Sequence, residues 1–373
     1  MKNDPATQTQ SGNPQSTAQF ADRVKWASER LQTAHKEAGK VILDQDYMIE
    51  MIFATMVAGG NMLAEGMPGL AKTLTVKTIA RISGLDFKRI QFTPDLQPID
   101  LTGSDVLNKK DNSWEFRKGP LFGQLVLADE INRAGQKTQS AMLEAMEEKQ
   151  ITVDGTTYTL PRPFHVMATQ NPVDQDGTSP LPEAQSDRFM TKLVFEYPNR
   201  AADKQIMAMA SGTDANIEDM FRLRDQFKLT ADSDSDLTLQ KDSDRASPVV
   251  QIFDAQDLII MQKMSRSLPL SESATNTAVD IIRALRPGPQ SSKFINDNVA
   301  FGPSPRALIA FALVAKARAL MDGRIENGHL SLTKHDILEI AEPVLAHRMA
   351  IKHSSRNVTF KDVMAHVKQE LKL

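Results

Sequence analysis

The 373-residue sequence contains no cysteine, so disulfides, thiolate metal sites and thiol nucleophiles are excluded from its chemistry. Such a composition suits a reducing compartment. It also lacks any uninterrupted apolar run long enough to span a bilayer, and Met1-Lys2-Asn3-Asp4-Pro5 leads into polar sequence without the apolar stretch of a secretory leader. A cytoplasmic protein without membrane insertion is expected. An excess of one charge is missing too: Lys and Arg number 44 against 47 Asp and Glu, a formal net charge of −3. Nothing global therefore draws the chain to nucleic acid or to an anionic membrane. The seven histidines show no HExxH or comparable ligand spacing, which leaves them solvated or hydrogen-bonded roles.

What is present is organised around Glu65-Gly66-Met67-Pro68-Gly69-Leu70-Ala71-Lys72-Thr73, followed by Leu74. A short apolar run, Asn61 to Ala64, precedes it. Leu74, Val76, Ile79 and Ala80 follow at helical spacing, so the stretch has the strand, loop, helix context of a phosphate-binding loop. Gly66 and Gly69 let the backbone turn with its N–H groups inward, and the positive end of the following helix adds to the cradle. Lys72 would reach the β- and γ-phosphates of a bound polyphosphate, and Thr73 would ligate Mg²⁺. Alanine stands at 71 where glycine is usual, and because alanine tolerates positive φ poorly, this reading requires a helical φ at Ala71.

The length suggests about two domains. Polar residues from Lys2 to about Gln19 read as a disordered tail, and helices are expected over Phe20 to Gly39 and Asp44 to Val57. Phe87 to Thr93 reads as a strand, and Leu96 to Gly119 as a long polar connection, uncommon inside a sheet domain unless it binds or moves something. Trp114 and Phe116 within it could equally cover the core. Leu125-Val126-Leu127-Ala128 is a buried strand that delivers Asp129-Glu130 to its C-terminal end, where an open α/β sheet keeps its chemistry. Two adjacent carboxylates are costly there unless paired or bound to a cation. Asp129 suits the residue that holds Mg²⁺ through its water shell, and Glu130 the base that polarises the attacking water.

Ile151 to Leu160 reads as a hairpin around Asp154-Gly155. Phe164 to Ala168 is a further strand, bringing Asn171 to the same edge as Glu130, as a ligand of water or phosphate or as an ordinary turn-former before Pro172. Lys192 to Tyr197 is a fifth strand. Arg188, beside Asp187, has by default the reading of a weak surface ion pair. Beyond Asn199 the pattern is helical, interrupted at about Asp214 to Val250 by a locally acidic insertion. Ser304 and Pro305 read as N-cap and first residue of a helix. Arg306 then sits in a first turn whose dipole disfavours a cation unless an anion is near.

Taken together these pieces resemble the MoxR family of AAA+ ATPases. Gly66 to Thr73 is similar to that family's Walker A, its Ala before Lys included, and Leu127-Ala128-Asp129-Glu130-Ile131-Asn132-Arg133-Ala134 to its Walker B. Ala168-Thr169-Gln170-Asn171-Pro172 is similar to its sensor 1, Pro182 to Phe189 to its arginine-finger segment, and Gly302 to Ala307 to its sensor 2. The resemblance implies an α/β fold: a P-loop αβα core with a five-stranded parallel sheet at residues 20–198, then a smaller helical lid at 199–373. It implies that Asn171, Arg188 and Arg306 join Glu130 in catalysis, with Arg188 crossing a subunit boundary and Arg306 acting in cis or in trans. It further implies a homo-oligomer, a hexameric ring, with a von Willebrand factor A domain protein as adaptor and a protein client. Leu96 to Gly119 and Ile151 to Leu160 would be elements that relatives turn toward the pore. A DNA-directed motor, a magnesium-chelatase-like subunit and a weakly hydrolysing nucleotide-gated scaffold are the alternatives; the charge balance and the absence of a DNA-binding module argue against nucleic acid.

Overall fold

The structure, a computed structural model, describes residues 14–108, 112–171, 181–211, 249–267, 269–326, 329–330, 332–355 and 357–373. Residues 1–13 of the expected tail and all of the acidic stretch except Val249 and Val250 lie outside them. Helix α1 (Pro14–Gly39) begins inside the stretch read as tail. Once its face of Val24, Ala27 and Leu31 is buried, a helix extends backward through Gln, Ser, Thr and Ala at little cost, because propagation is far easier than nucleation.

The central sheet has five parallel strands: β1 (Met62–Glu65), β2 (Phe87–Gln91), β5 (Leu125–Asp129), β8 (His165–Gln170) and β9 (Thr191–Val194), in the order β2-β5-β8-β1-β9. Alternation along each strand divides the apolar side chains between two faces. Met62, Ala64, Leu125, Leu127, Met167 and Leu193 join one core cluster, which also contains the buried faces of α1, α2 (Asp46–Ala58) and α3 (Lys72–Ile82). Leu63, Val126, Ala128, Val166 and Ala168 join the other, against α5 (Gln136–Glu148). β1 thus lies between β8 and β9, and its C-terminal end opens directly into the glycine-rich loop.

The connection from Leu96 to Gly119 is more regular than its polarity suggests. It folds as α4 (Pro98–Thr102) and an antiparallel hairpin, β3 (Gly103–Asn108) with β4 (Ser113–Lys118). Phe116 stacks on Tyr158 of the neighbouring hairpin, β6 (Gln150–Val153) and β7 (Thr156–Thr159), with centroids 4.1 Å apart and ring planes 14° apart; Phe122 meets both rings edge-on. The two aromatic residues therefore differ: Phe116 ties the hairpins together, whereas Trp114 is 70% exposed and lies outside the core.

After α6 (Glu183–Ser186) and α7 (Arg200–Ser211), the C-terminal part is helical: α8 (Ala255–Ser267), α9 (Glu272–Ala284), α10 (Lys293–Asn298), α11 (Pro305–Asp322), α12 (Lys334–Glu339), α13 (Ala341–Leu345) and α14 (Phe360–Leu371). α11 buries Phe311, Val314, Ala315 and Leu320 in the cluster that holds α1 and α2, so core and lid share apolar interior. Arg318, with a side chain 10% exposed, bridges Glu50 of α2 and Glu339 of α12. The expected cap is in place, with Ser304 accepting from the Arg306 amide, and Thr333 with Asp336 forms a reciprocal capping box at the start of α12. No helix among the described residues is long and apolar enough to cross a membrane.

Candidate functional site

The loop after β1 is shaped by close approach and by left-handed backbone. A side chain at Gly66 would lie 2.8 Å from Cβ of Phe195, just past β9, and Gly69 has φ 87°. Ala71 corrects the sequence reading: its φ is 55° and ψ 19°, left-handed rather than helical. Left-handed backbone costs an alanine roughly 1–2 kcal/mol, and it persists because both ends of the loop are held. Gly66 is pinned against β9, and the Ala71 carbonyl begins α3 by accepting from the Thr75 amide at 2.8 Å and its hydroxyl at 3.1 Å. Lys72 opens α3 and turns back to donate from Nζ to the Gly66 carbonyl at 2.6 Å. Partial burial lowers its pKa below the ordinary value, an effect opposed by the nearby carboxylates of Asp129, Glu130 and Glu65. Thr73 is half-buried in the same turn and Leu74 is exposed.

Asp129 ends β5 and is buried. Arg89 of β2 grips Oδ2 with Nη2 at 2.7 Å and Nε at 3.2 Å, and the Thr169 hydroxyl donates to Oδ1 at 2.6 Å. The same hydroxyl accepts from the Glu130 amide at 2.8 Å. Glu130 has left-handed backbone, φ 57° and ψ 48°. Its Oε2 accepts from Gln91 Nε2 at 3.0 Å and from Arg133 Nη1 at 2.7 Å. The cost anticipated for two adjacent carboxylates is thus met by two arginines, a glutamine and a threonine. Arg89, Gln91 and Thr169 were not singled out from sequence. Their signal was alternation, since Arg89 and Gln91 are successive same-side residues of a strand whose register sets Gln91 level with Asp129. Asn171 follows β8 two residues past Thr169, half-buried, at this same edge.

Arg188 and Arg306 are elsewhere. Arg188 does not pair with Asp187; its Nη1 lies 2.8 Å from Oε2 of Glu147, at the end of α5. Arg306 grips the other oxygen of the same carboxylate, which supplies the anion its helix-terminal position calls for. Asp187 instead pairs with Arg348 of the lid. Arg188, Arg306 and Arg348 border a cavity of about 210 Å³ together with Gly59, Gly60 and Asn61, the residues leading into β1 at the end opposite the glycine-rich loop. These arginines therefore border the end of β1 opposite the one that opens into the loop carrying Lys72.

A larger cavity, about 610 Å³, was not foreseen from the sequence. It lies between the entry to α2 (Asp44 to Met48), the end of β9 (Lys192 to Val194, with Tyr197) and the lid residues Leu338, Glu339 and Pro343. Its lining residues Val194 and Glu196 flank Phe195, the residue whose Cβ approaches Gly66. Tyr47 joins core to lid there by donating to the Glu339 carbonyl at 2.8 Å. No short motif marks this pocket, because three separated segments build it. Among the described residues there is no cluster of three or more His, Asp or Glu that could hold a metal ion.

Residues 61–191 match the ATPase family associated with various cellular activities (AAA), and residues 292–367 match the AAA lid domain. YeaC of Bacillus subtilis (strain 168) is 37% identical over 318 residues, covering 85% of this chain and 86% of that protein. Chaperone MoxR1 of Mycobacterium tuberculosis is 33% identical over 326 residues, covering 87% and 77%. Among solved structures, a crystallised protein of Cytophaga hutchinsonii ascribed to the ATPases superimposes with a TM-score of 0.79 at 33% identity, over 95% of this chain and 98% of that one.

Proposed function

Because the chain belongs to the MoxR family of AAA+ ATPases and has a chaperone-like role, we propose that its ATP hydrolysis takes place across the boundary between identical subunits arranged in a hexameric ring. The observation that carries this reading is the pairing of Arg188 and Arg306 on Glu147, at the end of β1 away from their own Lys72. Neither arginine reaches the phosphate loop of its own chain, and both are half-exposed at one surface. Arg306 is thereby read as acting in trans.

In the proposed mechanism the amides of Gly66 to Thr73 cradle the phosphates, and Lys72 exchanges the Gly66 carbonyl for phosphate oxygen. The 610 Å³ cavity between core and lid takes base and ribose. Thr73 and Asp129 would hold Mg²⁺, whose charge neutralises the β- and γ-oxygens when it is bound. Both offer oxygen donors of the kind a hard cation prefers, and Asp129 is fixed by Arg89 and Thr169. Glu130 orients and polarises water, held by Gln91 and Arg133. Asn171 steadies that water or the γ-phosphate, and the neighbour's Arg188 and Arg306 stabilise charge on the transferring group. Lid motion coupled to this cycle remodels a protein client, assisting maturation of a complex with a von Willebrand factor A domain protein as adaptor.

The test is ATPase activity per subunit measured over a wide range of protein concentration, with assembly followed by light scattering. Specific activity rises as rings form. Constant activity down to concentrations where only single chains remain would overturn the trans reading. For the chaperone-like role, Glu130→Gln held in the ATP state should retain client and adaptor in a pull-down that Lys72→Ala does not.

A further inference from the structure

Arg188 belongs to the core chain between β8 and β9, but lid side chains hold the backbone on either side of it. Arg348 ends the 3₁₀ turn Ala346–Arg348 with its side chain only 3% exposed. Its Nη2 donates to the Asp187 carbonyl at 3.2 Å and to the Phe189 carbonyl at 2.6 Å, and its Nε lies 3.1 Å from Asp187 Oδ1. His347 donates from Nε2 to the Phe189 carbonyl at 3.0 Å, and the Ser304 hydroxyl donates to Asp187 Oδ2 at 3.1 Å. Both carbonyls flanking Arg188 are therefore fixed to the lid. Ser304 is also the cap of the helix that carries Arg306, so one body sets both arginines.

This is an expensive way to fill space. Burying a guanidinium costs several kcal/mol even when it is paired, and burial pulls Arg348 down to about 10 despite Asp187. Its Nε and Nη1 are buried and make no hydrogen bond, the contact of Nε with Asp187 being an ion pair alone. An apolar side chain could have packed here at lower cost. It could not have supplied a directional grip on two carbonyls that bracket one residue.

We propose that Arg348 is the positioning residue of the arginine finger: it fixes Arg188 to the lid, so that hydrolysis in the neighbouring subunit depends on the lid position of the subunit lending the finger. This rests on the reading that Arg188 acts across the boundary. A finger displaced by about 1 Å loses on the order of 100-fold in rate, which makes lid rotation a sufficient control of the next site.

The experiment uses the full chain carrying Arg348→Gln. Its kcat should fall on the order of 100-fold, while ATP affinity, measured in the Glu130→Gln background with and without Arg348→Gln, stays within about twofold. Mixed with Glu130→Gln, the Arg348→Gln protein should regain activity, because its intact Glu130 then receives a well-held finger from the neighbour. An Arg348 that merely supports its own fold or nucleotide site would give no such rescue. Normal kcat overturns the proposal. So does a failed rescue in rings where a parallel mixture of Arg188→Ala with Glu130→Gln does recover. If neither mixture recovers although cross-linking shows subunit exchange, the trans reading of Arg188 falls first and this proposal with it. Should Arg348→Gln not fold, Asp187→Asn loosens the same clamp from the core side and leaves both carbonyls in place. It should lower kcat about tenfold with the same rescue, and a folded Asp187→Asn ring of normal kcat overturns the proposal.

Discussion

Replacing Ala71 by Gly tests the backbone of the glycine-rich loop through the sign of its effect on stability. Ala71 is left-handed, with φ 55°, at a cost of roughly 1–2 kcal/mol that glycine does not incur. Against this, glycine makes the unfolded chain more disordered, a loss of about 0.4–1 kcal/mol. The Ala71 methyl is exposed, so little apolar burial is given up. Ala71 is also the N-cap of α3, where glycine ranks above alanine. The balance favours Ala71→Gly by about 0.5–1 kcal/mol, or about 1–3 °C in Tm for a domain of this size. Scanning calorimetry without nucleotide, at one pH and one protein concentration, measures it, with Ala71→Val as a control that should lower Tm. A helical φ at residue 71 would reverse the sign, because glycine costs up to about 1 kcal/mol relative to alanine in helical backbone. A fall in Tm for Ala71→Gly would therefore refute the left-handed assignment and restore the expectation drawn from sequence.

Three further outcomes are expected. Glu130→Gln should keep ATP bound and lower turnover by on the order of 10²–10⁴, whereas Lys72→Ala should lose ATP affinity; equilibrium binding beside steady-state hydrolysis separates them, and an unchanged rate in Glu130→Gln would refute its assignment as base. His165 is fully buried, and desolvation lowers its pKa from 6.5 to about 4. Between those values the unfolded chain binds more protons than the fold, so His165 supports stability above pH 6.5 and loses about 3 kcal/mol of it as pH falls to 4; His347, lowered to about 3 by burial, acts in the same direction. Urea unfolding at successive pH values should show a slope that shrinks in His165→Gln, and an unchanged slope would refute the account. Arg318→Met removes the partner that the half-buried carboxylates of Glu50 and Glu339 share between core and lid and should cost about 1.5–3 kcal/mol in urea unfolding; a cost below about 0.5 kcal/mol would mean that apolar packing alone holds the lid.

The sequence by itself determined the features whose cause is local. The glycine-rich loop with its flanking strand and helix, the strand that delivers Asp129 and Glu130, the position of Asn171, and the cap at Ser304 were all legible. Each depends on residues within a few positions of one another, through strand alternation, helical spacing or a capping side chain. Only the tertiary structure decided the rest. The left-handed φ of Ala71 follows from holding Gly66 against β9, about 130 residues away along the chain, and no local preference of alanine foretells it. Arg188, read from its neighbour as a partner of Asp187, pairs with Glu147 instead, and Arg306 reaches that carboxylate across 159 residues. The grip of Arg348 on Asp187 spans 161 residues, and the cavity between core and lid needs three separated segments. Such contacts are set by how α11 seats in the shared core and carries the lid with it, a packing of whole elements that residue spacing in one chain does not encode.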